Sequence, residues 1–151
     1  MTKKDISLDY ANSLVYDLEK AFWDERGKGA RFRTTTVGRE YFTSKFLPLI
    51  KSDDIGEILN VIENTLQDEG IAAKVSYEVD DRLLRVRLEG CIHRPVEERM
   101  LSQGIEPFTC VPANLIVMAI EEKLGQPVEL AEIKLEDGAC QLLLVVFDKP
   151  A

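Results

Sequence analysis

The chain has 151 residues, 45% of them hydrophobic and 30% charged, with 27 acidic against 19 basic side chains. That length fits one domain with its own core, and the composition excludes a disordered chain. A net charge of -8 argues against a whole-surface nucleic-acid binder, and no apolar run reaches the roughly 18 residues that a membrane span needs.

Residues 7–25 carry the spacing of an amphipathic helix. Leu8, Ala11, Leu14, Val15, Leu18 and Phe22 recur three and four apart, which predicts one core-facing stripe. Gly27 is the stop. The segment from Arg26 to Arg39 then holds Arg26, Lys28, Arg31, Arg33 and Arg39 and no acid. It reads as a solvated loop, or as a docking edge for an anionic ligand, an acidic partner or a membrane surface. A second helix is predicted after the threonines 34–36, with Val37, Tyr41, Phe42, Phe46, Leu49 and Ile50 as its stripe. Pro48 ends or kinks it, because its ring clashes with the preceding turn.

A third helix runs from about Asp53 to Glu69, capped by Ser52 or Asp53. Ile55, Ile58, Leu59, Ile62 and Leu66 form its apolar face, and Gly70 closes it. The period then changes to two. Ile71, Ala73, Val75, Tyr77 and Val79 alternate with polar or small residues, and Leu84, Val86 and Leu88 do the same after an Asp80-Asp81 turn. This pattern predicts an antiparallel hairpin. Residues 90–109 are irregular, with a short helical piece over Val96–Ser102.

A fourth long helix is predicted from Pro112 to Leu124, with proline suited to its first turn. Leu115 to Ile120 is apolar on every side, so this turn should be buried all round. A second hairpin closes the chain: Val128–Leu135, a turn at Glu136-Asp137-Gly138, then Ala139–Phe147. The last strand is apolar on both faces and belongs in the middle of its sheet, or under a second cover. The expected fold class is α+β, a helical N-terminal part on a four-stranded antiparallel sheet, in the order ααα-ββ-α-ββ. No linker divides residues 1–151 into separate domains.

Four side chains carry ligand chemistry. Cys91, His93, Cys110 and Cys140 have the composition of a Cys₃His zinc site, although C-x-H…C…C is not a zinc-finger spacing. The thiols also read as plain core residues, or as redox or nucleophilic groups. His93 is the only histidine. It reads as a hydrogen-bonded structural residue or as an axial ligand to a tetrapyrrole metal. An odd cysteine count, with no apolar stretch after Lys3 and Lys4 to make an export signal, predicts no disulfide and a cytoplasmic setting. No hydrolase, Walker, dinucleotide or H-E-x-x-H motif is present, so enzyme activity has no support beyond a lone acid–base candidate at His93.

The stretch Cys110-Val-Pro-Ala-Asn-Leu-Ile-Val-Met-Ala-Ile-Glu-Glu-Lys-Leu-Gly125-Gln-Pro-Val128-Glu-Leu, followed by Asp137-Gly-Ala-Cys140-Gln-Leu, resembles the 4-vinyl reductase-like domain family. That family is related to the TRAPP transport subunits and the haem-nitric-oxide-binding group. Cys110 and Cys140 fall on the cysteine positions of the family pattern, whereas Ala131-Glu-Ile133-Lys lacks a further thiol often found there. The resemblance implies a noncatalytic module for a hydrophobic small molecule, a chlorophyll-type tetrapyrrole or a lipid, assisting pigment handling or photosynthetic complex assembly. The expected pocket lies between helices and sheet, lined by Phe42, Phe46 and Met118, with Arg39, His93, Cys110 and Cys140 as further contacts. The alternative is a dimeric TRAPP-like scaffold without a ligand, with a vinyl-reductase subunit as a third reading. A homodimer through the N-terminal helices is expected in either of the first two cases. Phe22 and Trp23 are adjacent on the first helix, so one of them is expected to leave the core for the basic loop or a second subunit.

Overall fold

A computed structural model of the chain describes residues 5–150. The segment read for an export signal lies largely outside that range. Helix α1 spans Leu8–Arg26 and ends on Gly27, whose φ of 58° is easily reached only without a side chain. A 3₁₀ segment, Gly27–Phe32, opens the basic stretch.

The predicted second helix is broken into three tight pieces. A single α turn at Arg39–Tyr41 (α2) continues as a π turn, Phe42–Phe46, and a 3₁₀ turn, Leu47–Leu49. Pro48 has no N–H to offer the preceding turn, so a regular helix cannot pass through it. Phe42, Phe46 and Ile50 enter the core, while Val37 and Leu49 are exposed. Gly38 opens this unit with φ 101°, and a Cβ there would stand 3.1 Å from Val111 Cγ1. Both conditions favour glycine.

Helix α3, Ile55–Asp68, is capped by Asp54 rather than Ser52 or Asp53. The Glu57 N–H donates to Asp54 Oδ2 at 3.1 Å, and Ser52 Oγ accepts from the Asp54 N–H at 3.0 Å. Its buried residues Ile58, Leu59, Ile62 and Leu66 are those the periodicity marks. Strands β1 (Lys74–Asp80) and β2 (Leu83–Glu89) form the first hairpin. Its turn is Asp81-Arg82, one residue later than expected, with Asp81 at φ 52°.

The irregular stretch contains a full helix, α4, Arg94–Ser102. Helix α5 runs Val111–Leu124, with nine consecutive residues, Pro112 to Ile120, buried. Strands β3 (Val128–Glu136) and β4 (Ala139–Val146) turn at Asp137-Gly138. The sheet order is β1-β2-β4-β3, antiparallel at every pairing. The fold is therefore α+β, with four antiparallel strands, and β4 is interior as its two-sided apolar sequence requires.

One face of the sheet, built from Val75, Leu84, Val86, Leu88, Cys140, Leu142 and Leu144, packs on α3 and α5 to make the main core. A second, smaller cluster holds Ala30, Met100, Ile105 and Phe108, with Tyr16, Phe22 and Trp23 packed against it. Phe22 and Trp23 therefore serve one cluster, and neither leaves it, contrary to expectation. Adjacent side chains diverge by about 100° on a helix, but the α4 and 105–108 surfaces wrap far enough around α1 to meet both.

Helix α1 departs most from expectation. Leu14 and Leu18 are 47% and 72% exposed, as are Tyr10 at 60% and Leu8 at 50%. The buried side instead carries Asn12, and Glu19 is half-buried beside it. The reason is the neighbour: α1 packs on α4 and the 3₁₀ segment, not on the sheet. The α4 side offers polar partners. Asn12 Nδ2 donates to the Ile92 carbonyl at 2.9 Å, and the Arg99 guanidinium lies 4.1 Å over the Tyr16 ring.

Candidate binding cleft

Helix α5 builds the site from a single polar residue in an apolar run. Asn114 is 4% exposed, inside a helix whose neighbours are all buried. An amide in that position needs partners, and it finds them in the basic stretch. Asn114 Nδ2 donates to the carbonyls of Thr34 at 2.9 Å and Val37 at 3.1 Å. This pins residues 34–37 across α5 as a strap. At the other end, Arg31 Nη2 donates to the Leu130 carbonyl of β3 at 3.3 Å. That carbonyl borders a β-bulge between Leu130 and Glu132, on a strand at the sheet edge.

Between strap, α5, β3 and the 104–108 loop lies a cleft of about 760 Å³. Its apolar surface includes Trp23, Phe32, Phe108, Val117, Met118 and Leu130. The rings of Trp23 and Phe108 pack 5.5 Å apart. Lys28, Arg31 and Arg39 bring positive charge to the strap side, and Glu106 and Glu121 bring carboxylates to the opposite rim. The volume falls in the range of small-molecule sites, with an apolar floor and a rim on which half of the lining residues are polar or charged.

Of the residues expected at a pocket, Met118 and Arg39 line this cleft. Phe42 and Phe46 do not. They are 3% and 0% exposed in the main core, because the broken second helix turns them toward α3 and the sheet. The expected pocket between helices and sheet is packed solid at that point. Lys28 and Arg31 belong to the basic stretch read as a docking edge and Trp23 was expected at the basic loop or a second subunit, whereas Phe108 and Asn114 were not expected at a site. Of these two, Asn114 carried a legible signal, as a polar residue inside an all-round apolar helix.

The cysteines and His93 sit elsewhere. Cys91, Cys110 and Cys140 are all buried and free. Cys140 Sγ donates to Glu97 Oε2 at 3.3 Å, with Glu97 itself 4% exposed. Burial pushes the Glu97 carboxyl up to about 7, against the lowering effects of the Cys140 hydrogen bond and Arg94. Glu19 on α1 is also pushed up to about 7, by burial first and the nearby Glu97 second. Burial raises the thiols of Cys91, Cys110 and Cys140 as well, which keeps them protonated. Thiols in that state are weak nucleophiles. Loss of solvent lowers the His93 pKa, favouring neutral imidazole.

The three thiols and Glu97 are close enough for their charges to act on one another. Yet among the described residues no three His, Cys, Asp or Glu side chains form a group that could hold a metal ion. Nor does His93 line the cleft, so it cannot serve there as an axial ligand to a tetrapyrrole metal. No helix among the described residues is long and apolar enough to cross a membrane. No protein-family model matches the chain, and no curated protein sequence matches it.

Proposed function

We propose that this protein is a noncatalytic binding module for a hydrophobic small molecule held in the strap cleft. The observation that carries the reading is the cleft itself: about 760 Å³ with Trp23, Phe108 and Met118 on its walls. Phe108 and Met118 are largely buried, so the apolar surface open to a ligand comes mainly from half-buried Trp23 and exposed Phe32, and covering it gains roughly 25 cal/mol per Å². The buried, protonated thiols and a histidine outside the cleft supply no nucleophile or metal ligand there, which favours binding over catalysis. The resemblance to 4-vinyl reductase-like domains makes a tetrapyrrole one candidate ligand, with a role in pigment handling or photosynthetic complex assembly. A long-chain lipid is the other, and the position of His93 away from the cleft favours it. Native mass spectrometry with an absorption spectrum tests the reading on protein purified from its own source. A bound mass without visible absorbance identifies a lipid, and visible bands identify a tetrapyrrole. A ligand-free mass, together with no change in Trp23 emission on titration with either class, refutes the module.

A second reading, a homodimeric scaffold, is favoured by one specific feature. Tyr10, Leu14 and Leu18 stand four apart on the outer face of α1 and are 60%, 47% and 72% exposed. A helix that turns such a row outward has the surface a second helix covers. Trp23 is committed to Phe108, so an interface on this helix would centre on Leu14 rather than on Trp23. Light scattering on the protein and on Leu14→Asp separates the two readings. A dimer abolished by the substitution supports the scaffold, and a monomer in both removes it.

A further inference from the structure

The charges around the cleft are not evenly distributed once side-chain direction is considered. Glu129 and Glu132 belong to its lining strand, but they pair across to Val145 and Leu143, while Leu130 and Ile133 pair with Leu144 and Leu142. Leu144 and Leu142 are core residues. Alternation along a strand therefore sends Glu129 and Glu132 to the sheet face away from α5. The remaining carboxylates are Glu121, which accepts the Val128 N–H at 3.3 Å, and Glu106, which forms no ion pair among the described residues. On the strap, Arg31 is spent on the Leu130 carbonyl. Lys28 and Arg39 also line the cleft and form no ion pair among the described residues. The cleft thus carries three cations, Lys28, Arg31 and Arg39, against two carboxylates, Glu106 and Glu121, and Lys28 and Arg39 are the cations without a protein partner among the described residues.

Resting on the binding-module reading above, we propose that the ligand is an amphiphile with a single anionic head group. Its head is held by Lys28 and Arg39, and its aliphatic tail lies over Trp23, Phe108 and Met118. Arg39 supplies a planar, two-pronged donor suited to a carboxylate or a phosphate, and Lys28 adds a point charge. A free fatty acid and a lysophosphatidate share this head-and-tail chemistry. The two cations flank the strap, Lys28 before it and Arg39 just after it, and Asn114 fixes the strap between them, so head-group recognition is organised by α5 rather than by the sheet.

The test uses the sole tryptophan, Trp23, which lines the cleft and reports an incoming tail through its emission. Titrations use tetradecanoate, its neutral methyl ester, tetradecylamine and tetradecanoyl lysophosphatidate, all below their micelle concentrations, with calorimetry as a second readout. Tetradecanoate or the lysophosphatidate should bind at least about tenfold tighter than the ester, the effect of one charge-assisted contact. Whichever of those two binds tighter identifies the source of the head group. The double variant Lys28→Gln/Arg39→Gln alters two exposed side chains. It should bring the acid down to the ester's affinity, leave the ester unchanged and preserve the melting temperature. Equal binding of acid and ester, unaffected by the double variant, overturns the anionic head while leaving the module intact. Tightest binding by the amine also overturns it. Binding of none of the four overturns both this inference and the module for aliphatic ligands.

Discussion

Helices α1 and α5 carry similar numbers of apolar residues, yet they use them in opposite ways. Helix α5 is buried from Pro112 to Ile120 between the sheet, α3 and the strap. Its one internal polar residue, Asn114, is satisfied by two carbonyls. Helix α1 lies on α4 and the 3₁₀ segment, turns Leu14 and Leu18 outward, and directs Asn12 and Glu19 inward. The contrast shows that an apolar stripe predicts a helix more securely than it predicts which way the helix faces. Facing is decided by what stands opposite. Opposite α5 are Leu84, Leu142 and Leu144, and opposite α1 are the Ile92 carbonyl, Glu97 and Arg99.

The largest expected effect breaks the buried side of this comparison. Leu115→Asp places a carboxylate at a position that is 0% exposed, where it has no partner. The cost should be several kcal/mol against a typical total of about 5–15, so the variant should lose its cooperative thermal transition. Leu18→Asp, the matching change on α1, should stay within about 0.5 kcal/mol, as exposed sites do. Equal melting temperatures for the two would remove the distinction between the helices.

The α1–α4 seam gives an intermediate effect that depends on pH. Glu97 and Glu19 have native values near 7, above the 4.5 of a free carboxyl. Their folded state binds protons more tightly than the unfolded chain does. Stability from these protonated groups is therefore complete below about pH 4.5 and is lost as pH rises toward 7. The native protein should melt several degrees lower at pH 8 than at pH 5.5, and Glu97→Gln should flatten that slope. A slope unchanged in Glu97→Gln would mean that the dependence arises elsewhere.

Asn114→Leu sharpens the comparison from the α5 side. It keeps the helix apolar but removes the amide donor from the Thr34 and Val37 carbonyls, of which that of Thr34 still accepts the Val37 N–H at 3.1 Å, at a cost of about 1–3 kcal/mol. Amide hydrogen exchange should accelerate over residues 34–39 and remain slow within α3 and the sheet. Protection retained over 34–39 would show that the strap is held by something other than Asn114. The smallest effect is expected from Arg31→Gln, which removes one exposed contact to the Leu130 carbonyl. It should shift stability by under about 0.5 kcal/mol while loosening the strap's far end in the same exchange experiment.

Much of the fold was legible because it rests on local chemistry. The stripe of α3, the Asp-rich start of that helix, the two alternating hairpins and the all-apolar turn of α5 each follow from spacing within about ten residues. The β4 sequence, apolar on both faces, marked it as interior, which the order β1-β2-β4-β3 bears out. The second helix was misjudged because its stripe is helical in period while Pro48 cannot complete the ladder. Of the cleft, Lys28, Arg31 and Arg39 were visible as cations of the basic stretch and Met118 as an expected pocket residue. Trp23 and Phe108 were not joined, since 85 positions separate residues whose rings pack at 5.5 Å.

The sequence by itself determined helices α1, α3 and α5, both hairpins, the class of the fold, the interior place of β4 and the burial of α5, but not the broken second helix or the full length of α4. Periodicity, caps and turns act within one element, and burial all round needs no knowledge of the neighbour. Only the tertiary structure decided the direction α1 faces, the removal of Phe42 and Phe46 from the binding surface, and the strap that makes the cleft. Each of those depends on contacts between distant segments. Asn114 with Thr34 and Val37 is the clearest, because a buried amide declares its need for a partner but not which carbonyl will meet it.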